Sequence, residues 1–264
     1  MYMFVKEAGD QTGPLLVFIH GGGVSGWMWN QQLDYFNEYH LLIPDLPGHG
    51  GSREESVFSI KDSAEELIRW IEMRGSDKKV IVVGFSLGAQ ILVEMLHQEP
   101  ELIDYAVINS ALVRPNSLLR GFIRPMVKFT AFLVKNRAFA QLQSKELYID
   151  EENFETYFQE SKEMKTEMLI QVLQENMNYA IPQNYPQARV EILVTIGEKE
   201  KNMMRKSAED LVSAHPKSKG IIFPQVGHGI PLANPDLFNQ TLTAWINQQP
   251  LPKELQRLHL HEIN

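Results

Sequence analysis

The sequence predicts an α/β fold, a doubly wound and mostly parallel sheet interrupted by one helical insertion. Three observations carry that expectation. Short apolar runs alternate with stretches of helical periodicity. The runs are almost continuously apolar, which suits strands buried on both faces rather than strands with one wet face. Residues 112–188 break the alternation, because helical patterning continues there without a convincing strand.

The apolar runs, in chain order, are "PLLVFIH" (14–20), "HLLIPDL" (40–46), "KKVIVVGF" (78–85), "IDYAVINS" (103–110), "VEILVTIG" (190–197) and "KGIIFPQV" (219–226). Gly, Pro, Asp or Lys bounds each of them, as expected of buried strands ending in turns. Before the first run, "YMFVKEAG" leaves room for one strand and not for a leading hairpin, so the sheet is expected to lack a first, antiparallel strand. Between the second and third runs, Ile60, Ala64, Leu67, Ile68 and Ile71 recur at helical spacing, with Ser59 and Asp62 as a capping pair and Gly75 as a stop. Near the end, Asn234 is placed as an N-cap, Pro235 at the first helical position, and Phe238, Leu242, Trp245 and Ile246 form an apolar stripe. Strand, helix and strand repeated in this way imply right-handed crossovers, with a ligand crevice beyond the carboxyl ends of the strands. The expected division is a core in two parts, 1–111 and 189–248, a helical cap at 112–188, and a tail at 249–264 that is either a docked helix or a loose end.

Composition bounds the function. A chain of 264 residues that is 44% hydrophobic is long enough for a full core, and a formal net charge of −8 gives no basic footprint for a nucleic-acid partner. Without cysteine there is no disulfide, no thiolate metal site and no cysteine nucleophile. The opening "MYMFVKEAGDQTG" lacks a basic region followed by a long apolar one, and no apolar run approaches the ~20 residues of a membrane span. The expectation is a soluble, cytoplasmic protein without integral membrane association that acts on a small molecule; the sequence sets no oligomeric state.

The chemistry centres on "GFSLG" (84–88), which follows the third run directly and opens the helical "LGAQILVEMLHQ". A residue at the tip of a sharp strand-to-helix turn needs small neighbours so that the turn can close, and Gly84 and Gly88 are those neighbours. Such a turn lifts the Ser86 hydroxyl above the sheet and points the Leu87 amide, at the positive end of a helix, toward any oxyanion formed there. A serine nucleophile needs a base and a group to orient that base. His228 lies on a glycine-flanked loop after the last run, and Glu198 and Glu200 follow the run before it, so all three are expected at the same sheet edge as Ser86. Other histidines have bland positions: His97 at a helix end, His215 in a loop, His259 and His261 in the tail.

These residues, with "HGGG" (20–23), "PDLPGHGGS" (44–52), "GEKE" (197–200) and "GHG" (227–229), resemble the motif set of the α/β-hydrolase superfamily, in the family order of serine, acid, histidine. The resemblance implies an α/β-hydrolase fold with a helical cap and a carboxylesterase-like serine hydrolase that needs no metal and no organic cofactor. It implies Gly22 as donor of the second oxyanion amide, with Gly23 the alternative, and a structural role for His20, Asp45 and His49. It favours Glu200 over Glu198 as the acid, although the family's acid is most often aspartate. Serine at position 86 excludes the family chemistries that need an aspartate nucleophile, namely epoxide hydrolysis and haloalkane dehalogenation. Carbon–carbon bond hydrolysis, thioester hydrolysis, a lyase reaction of the menaquinone-pathway type, and ligand reception or signalling regulation without turnover remain compatible with the same residues.

Residues 114–145 carry Arg114, Arg120, Arg124, Lys128, Lys135, Arg137 and Lys145 and no acidic residue, interleaved with Leu118, Leu119, Phe122, Ile123, Met126, Phe129, Phe132 and Leu133; acidic residues dominate from Glu146 onward. One expectation is that the two halves pair through solvated charges while their apolar stripes pack on the core. The other is that the apolar residues line an acyl pocket and the basic half draws anionic or lipid-like substrates.

Overall fold

The computed structural model describes residues 3–260, apart from the side chains of 117–120. Among the described residues eight strands form one sheet: β1 (Val5–Gly9), β2 (Leu15–Ile19), β3 (His40–Pro44), β4 (Val80–Phe85), β5 (Tyr105–Asn109), β6 (Glu191–Gly197), β7 (Ser218–Phe223) and β8 (Gln256–Arg257). Their spatial order is β1-β3-β2-β4-β5-β6-β7-β8. The six inner strands run parallel, and each edge strand pairs antiparallel with its neighbour. The six apolar runs of the sequence are the six parallel strands.

The first part of the core adds α1 (Asn30–Tyr35), α2 (Ile60–Arg74) and α3 (Leu87–Gln98). Between β5 and β6 lie α4 (Ser117–Thr130), α5 (Arg137–Glu146), α6 (Glu151–Glu163) and α7 (Thr166–Asn178), and no strand among the described residues. The last part adds α8 (Asn202–Ala214), the single turn α9 (Ile230–Ala233) and α10 (Pro235–Ile246). Capping follows the sequence reading. Ser59 Oγ accepts from the Asp62 amide at the start of α2, and Asn234 Oδ1 accepts from Leu237 at the start of α10.

Strand alternation divides the core into two layers. Leu15, Val17 and Ile19 of β2 face a cluster with Ala64, Leu67 and Ile68 of α2 and Ile91 and Met95 of α3. Leu16 and Phe18 face the other way, with Trp29, Leu33, Phe238 and Trp245. A third, smaller cluster of Ile123, Val127 and Ile170 joins α4 to α7.

Two ends depart from the sequence reading. The N-terminal segment supplies a single strand, as expected, but that strand is antiparallel, so the sheet does begin with an antiparallel edge. The tail is neither a helix nor loose as far as Leu258: residues 256–257 pair with Ile221 and Ile222, and Leu258 is buried. His259 is exposed, and His261 lies outside the described residues. Among the described residues no helix is long and apolar enough to cross a membrane.

Candidate active site

Ser86 is the N-cap of α3, directly after β4, with φ 53° and ψ −109°. That positive φ is unusual for a residue with a Cβ and stores backbone strain at the turn. The turn closes only because the positions two residues to either side, 84 and 88, are glycine. A Cβ at Gly84 would overlap Gly88 O and come within 2.7 Å of the Ala89 Cα, and one at Gly88 would come within 2.6 Å of His20 O. The Leu87 amide is the first of α3, where the helix leaves its N–H groups without internal partners.

His228 follows β7 and stands over this turn. With its proton on Nδ1, which donates to Glu200 Oε2 at 2.9 Å, Nε2 is left to accept from Ser86 Oγ at 2.9 Å. The Phe85 ring packs against the imidazole, 5.1 Å between centroids. Glu200 lies at the turn after β6 with its side chain only 2% exposed, and its other oxygen accepts from the Ser110 hydroxyl at 2.5 Å and the Gly197 amide at 3.1 Å. Three strand ends, β4, β6 and β7, thus bring Ser86, Glu200 and His228 into one hydrogen-bonded chain. Glu198 is elsewhere: it is exposed, and its Oε2 accepts from the Gln225 amide at 2.8 Å.

Gly22 and Gly23 lie beside the same turn, and the two are not equivalent. Gly23 N–H donates to His49 Nε2 at 3.2 Å, which occupies it, while His49 Nδ1 donates to Pro47 O at 3.1 Å. This pattern needs a neutral imidazole. Burial holds His49 far below the usual histidine range, at about 3, and His20 likewise at about 4. His20 Nε2 accepts from the Leu46 amide, and the Asp45 carboxylate accepts from the Gly26 and Gly51 amides, each at 2.7 Å. All three side chains brace loops.

A cavity of about 430 Å³ opens above Ser86, walled by Gly22, Leu87, Leu147, Val172 and Leu173 and reached by Val134 from the turn after α4. Among the described residues no Lys or Arg lines it, and Glu146 is its one carboxylate. A larger open groove of about 920 Å³ runs along β7, β8 and the C-terminal segment and shares no lining residue with that cavity. Three cations of the basic half meet the acidic half, Arg124 and Lys128 at Glu167 (3.0 and 3.8 Å) and Arg137 at Glu155 (2.8 Å), while Arg114 pairs outside the segment with Asp210 at 2.6 Å. The side chain of Arg120 lies outside the described residues.

Three contacts at the site have no clear signal in the sequence. Ser110, at φ 56°, closes the acid turn from the end of β5. Tyr148, at φ 58°, reaches from the end of α5 so that its hydroxyl accepts from the Gly227 amide at 2.8 Å, beside His228. Glu160 of α6 accepts from Ser25 Oγ at 2.8 Å and Trp27 Nε1 at 2.9 Å, tying the helical segment to the Gly22–Gly23 loop. Of these, only Ser110 stands where a strand end could have pointed to it.

Glu160 also makes a pH prediction. Burial raises its carboxyl above the ordinary range; the Trp27 and Ser25 donors pull it back, and the Asp45 and Glu163 carboxylates push it up again. A carboxyl raised in the folded state binds more protons folded than unfolded, so its stabilising effect is present at acid pH and lost as pH rises through the folded value. Glu160→Gln is therefore expected to flatten the fall in Tm as pH rises from about 4.3, the ordinary glutamate value, toward neutrality. An unchanged slope would place that titration in another group.

Comparison with known proteins converges on one family. A family model described as the alpha/beta hydrolase family matches residues 16–241. Protein ABHD8 of Homo sapiens is 33% identical over 105 residues, 38% of this chain, and the match spans only about a quarter (24%) of that relative's length. The pimeloyl-[acyl-carrier protein] methyl ester esterase of Vibrio vulnificus (strain YJ016) is 26% identical over 246 residues, covering 88% of this chain and 94% of that protein. Among solved structures, an esterase from Exiguobacterium antarcticum superposes with a TM-score of 0.78 over 93% of this chain and 95% of its own, at 17% identity, a likeness of fold.

Proposed function

Because this chain belongs to the alpha/beta hydrolase family, we propose that it is a serine hydrolase cleaving an ester or related acyl bond of a small, apolar substrate through an acyl-enzyme on Ser86. The observation that carries the reading is the unbroken chain from Ser86 Oγ through His228 to the buried Glu200 carboxylate. The relative named above that acts on a methyl ester supports the same reaction class.

In this reading Ser86 Oγ attacks the carbonyl carbon while His228 Nε2 takes its proton, and the carbonyl electron pair moves onto oxygen. The Leu87 and Gly22 amides receive that oxyanion; Gly23 is the weaker candidate because His49 already holds its N–H. Glu200 keeps the Nδ1 tautomer and stabilises the imidazolium. Collapse of the intermediate re-forms the carbonyl and breaks the bond to the alcohol, which leaves with the proton from His228. Water, deprotonated by His228, then repeats the attack on the acyl-enzyme and returns Ser86. The helical segment 112–188 acts as a cap that walls the acyl site.

A panel of p-nitrophenyl esters of rising acyl length tests this. Many turnovers per enzyme are expected, with kcat/KM rising roughly fourfold per methylene, the equivalent of about 0.8 kcal/mol of buried CH₂, until the chain outgrows the cavity. Neutral esters should be preferred to anionic ones, since an anionic acyl end would face Glu146 with no cation among the described residues of the wall. A single burst followed by a ligand-dependent melting shift would instead support a receptor.

A further inference from the structure

Isolated exposed apolar side chains are ordinary, but contiguous ones mark contact surfaces. On α4, Phe122, Met126 and Phe129 recur at i, i+4 and i+7, on one face of the helix. They are 70%, 54% and 79% exposed, and Phe132, just beyond the helix, is 66% exposed. The helix does not need this face to stay in place, since Ile123 and Val127 on an adjacent face are buried with Ile170 of α7. An outward apolar stripe is therefore left on a helix already held by an inward one.

The charges beside the stripe indicate what covers it. Across the exposed Gly121 and Pro125 from the stripe, Arg124 and Lys128 stand half exposed on the same outer side of the helix and share the carboxylate of Glu167, so the pair keeps a net positive charge. Residues 114–145 hold seven basic and no acidic residues in a chain of formal net charge −8. A second copy packed two-fold over the whole of this outer face would bring the two cation pairs toward each other, a like-charge contact. Anionic headgroups would meet the same cations favourably, with the aromatic side chains at the headgroup–acyl boundary below them. The surface is also continuous with the cavity, because α4 runs into the turn Leu133–Lys135, whose Val134 reaches the cavity above Ser86.

We propose that α4 and the turn after it are a peripheral docking surface for an anionic phospholipid bilayer, with Phe122, Met126, Phe129 and Phe132 in the interfacial layer and Arg124 and Lys128 against the phosphates. The helix lies on the bilayer and does not cross it. Docking is independent of the hydrolase reading, and its readout is binding, not turnover.

The test is co-sedimentation of the full chain with phosphatidylcholine vesicles with and without about a quarter phosphatidylglycerol. The expected result is binding to the anionic vesicles that falls about tenfold or more in Phe122→Ser/Phe129→Ser and weakens as ionic strength rises from about 0.15 M to about 1 M. In the double variant, kcat/KM on a water-soluble short ester should stay at the wild-type value, which reports an intact fold. Phe129→Ser alone serves if the double variant misfolds, with a smaller loss of the same sign. Equal binding by wild type and variant, equal binding to neutral and anionic vesicles, or no vesicle binding would overturn the proposal. A dimer in sedimentation velocity that the double variant loses, without vesicle binding, would assign the face to a second copy instead.

Discussion

Replacing Ser86 with alanine is expected to lower ester hydrolysis by several orders of magnitude and to abolish labelling by a fluorophosphonate, with the melting temperature kept or raised. Loss of the nucleophile leaves only oriented amides and the cavity, which on their own retain a small residual rate over water. Stability should not fall, because the serine holds a strained turn at φ 53° with a Cβ in either case and alanine removes only the hydroxyl shared with His228. Fluorophosphonate labelling that survives in Ser86→Ala would remove Ser86 from the mechanism.

The second large effect is expected at Glu200, and its direction follows from the three donors around the carboxylate. Ser110 O–H and Gly197 N–H both point at Oε1, and the Gly197 amide can do nothing but donate. In Glu200→Gln the carbonyl oxygen must stay with those donors, which turns the amide NH₂ toward His228 Nδ1. Nδ1 then has to accept, the ring proton moves to Nε2, and the imidazole can no longer take a proton from Ser86. A loss in kcat on the order of 10³–10⁴ is expected, the scale of tautomer control in serine triads, with KM little changed. Glu198→Gln should be mild, within about tenfold, since a glutamine oxygen can still accept from the Gln225 amide. Steady-state kinetics on one ester, with circular dichroism to check folding, measures both. The reverse ranking would move the acid to Glu198.

What the sequence made legible is what depends on residues near one another in the chain. Uniform apolar runs marked the six parallel strands, and the caps at Ser59 and Asn234 stood three residues from the amides they accept from. Ser86, Glu200 and His228 could be proposed together because each lies in the turn or loop that follows a strand, and parallel strands deliver their carboxyl ends to one edge. Contacts that join distant segments were not legible. Tyr148 meets Gly227 across 79 residues, Glu160 meets Ser25 across 135, and nothing in their local pattern marks either as a partner. For Gly22 over Gly23 the sequence offered only the family resemblance; the physical difference is that His49, 26 residues on, holds the Gly23 amide. The tail hid its strand because two prolines and a single polar pair, Gln256 and Arg257, carry no alternation to read.

The helical segment leaves the sheet after β5 and returns at β6, so Asn109 and Thr195, hydrogen-bonded side by side, are 86 residues apart in the chain. Closing so long a loop costs entropy that grows only with the logarithm of its length, and doubling or halving it changes that cost by about 0.6 kcal/mol. The sheet is consequently almost indifferent to how much chain hangs between these two strands. Most of the cavity wall hangs there, whereas Ser86, Glu200 and His228 do not. A lineage can therefore lengthen or shorten the segment, and with it alter the molecules admitted, at little entropic expense, so long as the contacts of Tyr148 with Gly227 and of Glu160 with Ser25 are kept. The burden falls on speed, because β6 can join β5 only by a contact of very long range, and such contacts form late and slowly as a chain folds.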